Sequence, residues 1–161
     1  MTEQMNYDID TLLDASLDDL ADMPEFKPFP VGAHKVTIVS WTQKSFDDKK
    51  DASKKNVAME LKLKAIETVE TANGSDEVCS PGQEENLSFF LVHHSSPQAM
   101  EMGQGQFKEV MKSLAAHFGA KSNRELIADS TGAEVLVTTS LRKDKSTPPK
   151  FYTKLDKLMV I

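Results

Sequence analysis

A single cysteine, Cys79, leaves this 161-residue chain no partner for an internal disulfide and no thiolate set for zinc. A reducing, cytosolic setting is the expectation. The sequence also lacks an apolar run near the roughly 20 residues that span a bilayer, and no basic-then-apolar leader follows Met1. A soluble protein with no membrane partner is expected. Chemistry-bearing constellations are equally scarce. His93 and His94 are adjacent, so on a strand they face opposite sides and cannot share one metal. The stretch GQGQFKE (103–109) has no third glycine at phosphate-loop spacing, so Gly103 and Gly105 read as a flexible start to a helix. Ser95 and Ser96 lack a glycine elbow, and Ser96-Pro97 reads as a helix cap followed by proline at the first position. The carboxylate pairs Asp47-Asp48 and Glu84-Glu85 fall in expected loops. No enzyme activity, cofactor or metal is expected.

Basic charge is missing from the front of the chain. Eight of the 25 acidic residues precede Lys27, the first basic one, so the remaining 17 face 19 basic residues. The overall pI near 5.2 therefore averages an acidic tail, residues 1–26, with a mildly basic body, residues 27–161. Charge asymmetry of this kind marks interaction tails. Within the tail Ile9, Leu12, Leu13, Leu17 and Leu20 recur at roughly helical spacing among aspartates, so it is read as partly disordered or as an amphipathic helix. Its candidate partner-binding residues are Asp14, Leu17, Asp18, Asp19, Leu20, Asp22 and Phe26.

Pro24, Pro28 and Pro30 make residues 24–32 read as a linker into one domain. HKVTIVSWTQ (34–43) is β-branched and reads as a strand, and VAMELKLKAI (57–66) alternates Val57, Met59, Leu61, Leu63 and Ala65 against polar residues. A polar connection over 68–86, with a short extra strand near Val78, leads to a third strand, NLSFFLVHH. The period then changes: Phe107, Val110, Met111, Leu114 and Phe118 predict a helix ending at Gly119. Ser122 with Glu125 predicts a capping box and a short second helix. GAEVLVTTSLR and KFYTKLDKLMVI supply two final strands around a turn at Pro148-Pro149.

Three strands, a helix and two strands make a mainly β chain, in the order of a five-stranded OB-fold-like Greek-key barrel, with the helix between strands 3 and 4 and an acidic N-terminal extension. Such barrels bind oligonucleotides on strands 2 and 3 and through the loops joining strands 1–2 and 4–5. Those two loops should then be basic in an otherwise acidic protein. The first carries Lys44, Lys49, Lys50, Lys54 and Lys55, and the second Arg142, Lys143, Lys145 and Lys150, together nine of the 19 basic residues. Single-stranded nucleic acid needs cations for phosphate and exposed rings for bases. Trp41, Phe46, Phe90 and Tyr152 are candidate rings, although an aromatic on a strand, as Phe90 and Phe151 are, is more often core. Lys62, Lys64 and Lys154 complete the candidate DNA-binding set on the strands.

With FPVGAHKVTI, VAMELKLKA, GQGQFKEVMKSLAAHFGA, TGAEVLVTTSLRKD and FYTKLDKLMVI in this order, residues 29–161 resemble phage-encoded OB-fold single-stranded DNA-binding proteins. The resemblance implies sequence-tolerant coating of single strands in replication, recombination or repair. It also implies partnership with replication or recombination proteins, homo-oligomers on DNA, and residence in a bacterial host's cytoplasm. Proteins of that type carry their acidic tail at the C-terminus, whereas here it leads the chain. The alternative is an adaptor or transcription regulator that binds a polymerase through the acidic segment.

Overall fold

A computed structural model describes residues 27–161, together with Asp10 and Leu13. The elements are β1 (Gly32–Asp47), β2 (Lys55–Thr71), β3 (Glu84–Val92), α1 (Pro97–Phe118), α2 (Asn123–Ser130), β4 (Glu134–Lys143) and β5 (Phe151–Val160). The strands form one sheet in the order β3-β2-β1-β4-β5, and every neighbouring pair is antiparallel. Among the described residues no helix is long and apolar enough to cross a membrane.

β1 and β2 pair along their whole length, from Gly32↔Thr71 to Asp47↔Lys55, but β4 accompanies β1 only from Gly32 to Thr37. Three register shifts interrupt the β1–β2 ladder. Each such irregularity adds local twist and bend. The sheet curls until its two outer strands meet: the Thr153 hydroxyl on β5 donates to Glu85 Oε2 on β3 at 3.0 Å. The inner face holds Val36, Ile38, Leu61, Leu63, Leu87, Phe89, Val135, Val137 and Leu158, closed by Phe107, Val110, Met111 and Leu114 of α1 and Leu126 of α2.

The expected linker over 24–32 needs correcting, because its described part is built into the domain. Phe29 is fully buried. Its amide donates to Thr153 Oγ1 at 2.8 Å, so it sits where the sheet's two ends meet. The Pro30 carbonyl accepts from the Thr139 hydroxyl at 2.8 Å and from Nε2 of the buried His34 at 2.7 Å. Nε2 must carry the proton to donate there, which leaves Nδ1 to accept from Thr68 Oγ1 at 2.9 Å. Burial pushes the His34 pKa below its ordinary value, against the bond to Pro30.

The helices and the connection before β3 follow their sequence signals with three differences. Ser96 caps α1, its hydroxyl accepting from the Ala99 amide at 3.2 Å with Pro97 next in line. Gly119, at φ +98°, ends it by donating to Ala115 O at 2.8 Å. The first difference is at Gly103, which lies inside α1 and is buried where the helix crosses β3; a Cβ there would stand 2.2 Å from the Phe90 carbonyl oxygen. Close approach of two backbones, not flexibility, places glycine at this position. At α2, the Ser122 hydroxyl accepts from the Glu125 amide at 3.2 Å and donates to the Glu125 carboxylate at 3.0 Å, so the carboxylate turns to the hydroxyl instead of the backbone. The third difference is at Val78, which is exposed and in no strand; β2 itself runs on to Thr71.

Candidate nucleic-acid interface

The β1–β2 loop is built on an aspartate. Asp48 is 2% exposed although it stands among lysines. Its Oδ2 accepts from the amides of Lys50 and Asp51, each at 3.1 Å, and from the Ser95 hydroxyl; its Oδ1 accepts from Asn56 Nδ2 at 3.1 Å. These bonds, led by the one from Ser95, hold the Asp48 carboxyl far below the usual carboxylate range. Asn56, also buried, uses its Oδ1 to accept from the His94 amide at 2.9 Å, and His94 Nε2 donates to Lys55 O at 3.0 Å. The lysine loop is thereby tied to residues 93–96, the connection from β3 into α1. The Asp48 amide donates to Lys54 O at 3.0 Å, closing the loop at its base.

The β4–β5 loop repeats the device. Asp144 Oδ1 accepts from the amides of Ser146 at 3.0 Å and Lys150 at 2.9 Å and from the Ser146 hydroxyl at 2.5 Å. Ser146 first, and then the Lys150 amide, lower the Asp144 pKa. The Asp144 amide returns a bond to Lys150 O at 2.9 Å. In both loops an aspartate occupies the inside of a turn and the basic side chains are turned outward. Lys49, Lys50, Lys54, Lys143 and Lys145 are exposed and make no salt bridge with another described residue.

Other basic candidates are partly engaged. Lys44 pairs with Glu60 at 2.8 Å, Lys62 with Glu84 at 3.7 Å, and Lys55 with Asp47. Lys64 and Lys154 are exposed on β2 and β5. Arg142 lies over the Tyr152 ring, 5.5 Å from its centroid, as its cross-strand neighbour.

The candidate rings divide. Trp41 points inward: it lies 6.3 Å from Phe89 and 6.1 Å from Phe107, and its Nε1 donates to Ser130 Oγ at 3.0 Å. The register shift between Ile38 and Ser40 explains this, because simple alternation from Ile38 would put Trp41 outside, and the shift sets it opposite buried Leu61. Phe46 is 37% exposed and joins half-buried Phe90 and His93 in a three-ring cluster, with centroids 5.5 to 6.5 Å apart. Phe90 lies in the row Lys44↔Ala58↔Phe90, and Phe46 is two residues beyond Lys44, so both rings lie on the outer face.

Strand register sets the two basic loops at opposite ends of β1: one follows Asp47, while the other lies beyond Lys143, past the last β1–β4 pair at Gly32↔Thr139. Between them lies an outer face of Glu60, Lys62, Lys64, Glu84, Asn86 and Ser88, on which Glu60 pairs with Lys44 and Glu84 with Lys62. Asn56, the part of His93 in the ring cluster, the bond from Ser95 and the scaffolding roles of Asp48 and Asp144 escaped the sequence reading. The signal available was an aspartate opening each loop turn, in Asp48-Lys-Lys-Asp and Asp144-Lys-Ser. Among the described residues no group of three His, Cys, Asp or Glu side chains is placed to hold a metal. The tail residues Asp14, Leu17, Asp18, Asp19, Leu20, Asp22 and Phe26 lie outside the described residues. No protein-family model matches the chain, and no curated protein matches its sequence.

Proposed function

We propose that the chain is a non-enzymatic single-stranded DNA-binding protein whose curled sheet is an OB-type Greek-key barrel. The strand order, the helix between β3 and β4 and the meeting of β3 with β5 support the barrel. The observation that carries the function is the pair of basic loops, each pinned from inside by an aspartate that leaves lysine ammonium groups facing outward. A phosphate backbone running along the outer face of β1 to β3 meets Lys49, Lys50 and Lys54 at one end and Arg142, Lys143 and Lys145 at the other. Phe46 and Phe90 offer a stacking surface beside the first loop, and Tyr152 with Arg142 beside the second. Phosphate contacts and ring faces discriminate little between bases, so binding is sequence-tolerant and suits a protein that coats single strands during replication, recombination or repair.

The acidic residues 1–26 act on this site as a tethered competitor or recruit partners. A tethered anion acts at high effective concentration. The test is anisotropy of labelled oligo-dT, duplex and RNA with the full chain and with residues 27–161. Oligo-dT binding at low salt that exceeds duplex binding supports the reading, and removal of residues 1–26 should raise it. Absence of oligo-dT binding by the full chain at low salt rejects it.

A further inference from the structure

Acidic side chains in a polyanion-binding loop ordinarily weaken binding, and neutralising them strengthens it. Asp47 and Asp48 are neighbours in sequence but differ in this respect. Asp47 is exposed and pairs with Lys55 on the surface. Asp48 is buried, and the four bonds of its carboxylate run to the loop and to what the loop packs on: the amides of Lys50 and Asp51, Asn56 Nδ2 and the Ser95 hydroxyl. Asn56 passes the connection on to the His94 amide. His93 accepts from the Ser96 amide at 3.0 Å through Nδ1, and its ring meets Phe46 and Phe90. One bonded unit therefore joins the lysine loop, the ring cluster and the start of α1.

We propose that Asp48, together with Ser95 and Asn56, is a positioning residue for nucleic-acid binding. Its negative charge holds the β1–β2 lysine loop in the shape that engages phosphate, so removing that charge weakens binding. This rests on the proposed single-strand binding. An asparagine at 48 can accept on one atom only, and its amide nitrogen would face the donors that Oδ1 or Oδ2 now satisfies. The freed loop must then be ordered again on binding. Re-fixing about one residue of backbone corresponds to roughly tenfold in affinity.

The experiment compares wild type, Asp47→Asn, Asp48→Asn and Ser95→Ala as full chains. Each is titrated with labelled oligo-dT across a salt series, and amide exchange at Lys50 and Asp51 is measured without DNA. Asp47→Asn should bind more tightly, because it frees Lys55. Asp48→Asn should bind about tenfold more weakly, with faster exchange at both amides and a salt slope shallower by about 0.7 for each phosphate that the loop no longer holds. Ser95→Ala should move the same way by less, and it serves as the test if Asp48→Asn does not fold. Loss of folded protein alone lowers the active fraction and leaves the slope unchanged. Asp48→Asn or Ser95→Ala binding at least as tightly as wild type overturns the positioning role while leaving DNA binding intact. A wild type that ignores oligo-dT removes both.

Discussion

Helix α1 crosses β3 so closely that two glycines two residues apart should respond to the same substitution with opposite signs. At Gly103 an added Cβ would stand 2.2 Å from Phe90 O, 2.6 Å from Phe90 N and 2.9 Å from Phe90 C. All three atoms are backbone in a strand paired with β2 opposite Ala58, so none can swing aside. Restoring ordinary contact requires helix and strand to part by more than about 1 Å, and overpacking of this kind costs about 1–3 kcal/mol or more. Gly→Ala inside a helix returns about 1 kcal/mol through propensity. With a parting this large the upper part of that range applies, and the net effect of Gly103→Ala is a loss of about 2 kcal/mol. At Gly105 nothing lies within 4 Å of the added Cβ, so only the propensity term remains. Gly105→Ala should stabilise by about 1 kcal/mol, a spread of about 3 kcal/mol between the two variants. Urea unfolding followed by the fluorescence of Trp41, the one tryptophan and half-buried against Phe89 and Phe107, measures both. Gly103→Ala as stable as Gly105→Ala would refute the close crossing. Because Phe90 also belongs to the ring cluster, Gly103→Ala should in addition weaken oligo-dT binding.

The two candidate rings on β1 should separate binding from stability. Phe46→Ala should weaken oligo-dT binding by about 1–3 kcal/mol and hardly move the urea midpoint, whereas Trp41→Ala should cost about 3 kcal/mol of stability by circular dichroism. Stability should depend on pH through two buried groups of opposite sign. Burial lowers the His34 pKa from 6.5, so the unfolded state binds more protons; its contribution is complete above pH 6.5 and is lost as pH falls below it, which a series of urea midpoints would reveal. Burial raises the Glu85 pKa from 4.5, against the bond from Thr153, so its contribution is complete below pH 4.5 and is lost as pH rises through the raised value. Glu85→Gln should therefore match wild type near pH 4 and exceed it in stability near pH 7; equal midpoints at both would contradict this.

What the sequence made legible follows from burial on one side only. β2 and β4 announce themselves because Leu61 and Leu63, and Val135 and Val137, are buried at alternate positions with more exposed residues between them. β1 reads short from sequence because Thr42 to Asp47 is exposed on both faces, and backbone pairing with β2 holds it without an apolar signal. Phe29 was hidden by its neighbours: prolines on either side give a linker's composition, and a lone apolar residue has no period. Trp41 was misplaced because a bulge changes the phase of a strand without leaving a mark in composition. As charges Asp48 and Asp144 would only offset the lysines beside them, but their bonds run to the loop backbones and shape the turns that carry those lysines. At Gly103 the reason for glycine is a strand more than ten residues away in the chain, which local sequence cannot reveal.

The central claim is that the two aspartate-pinned loops hold phosphates of a single strand. It is tested most directly by the salt dependence of oligo-dT affinity for wild type and for a variant with Lys49, Lys50 and Lys54 changed to glutamine. The account predicts a linear fall of log affinity with log salt, at about −0.7 for each phosphate held, and a slope shallower by about 2 in the variant. Identical slopes for the two proteins, or no binding by wild type at low salt, would contradict it.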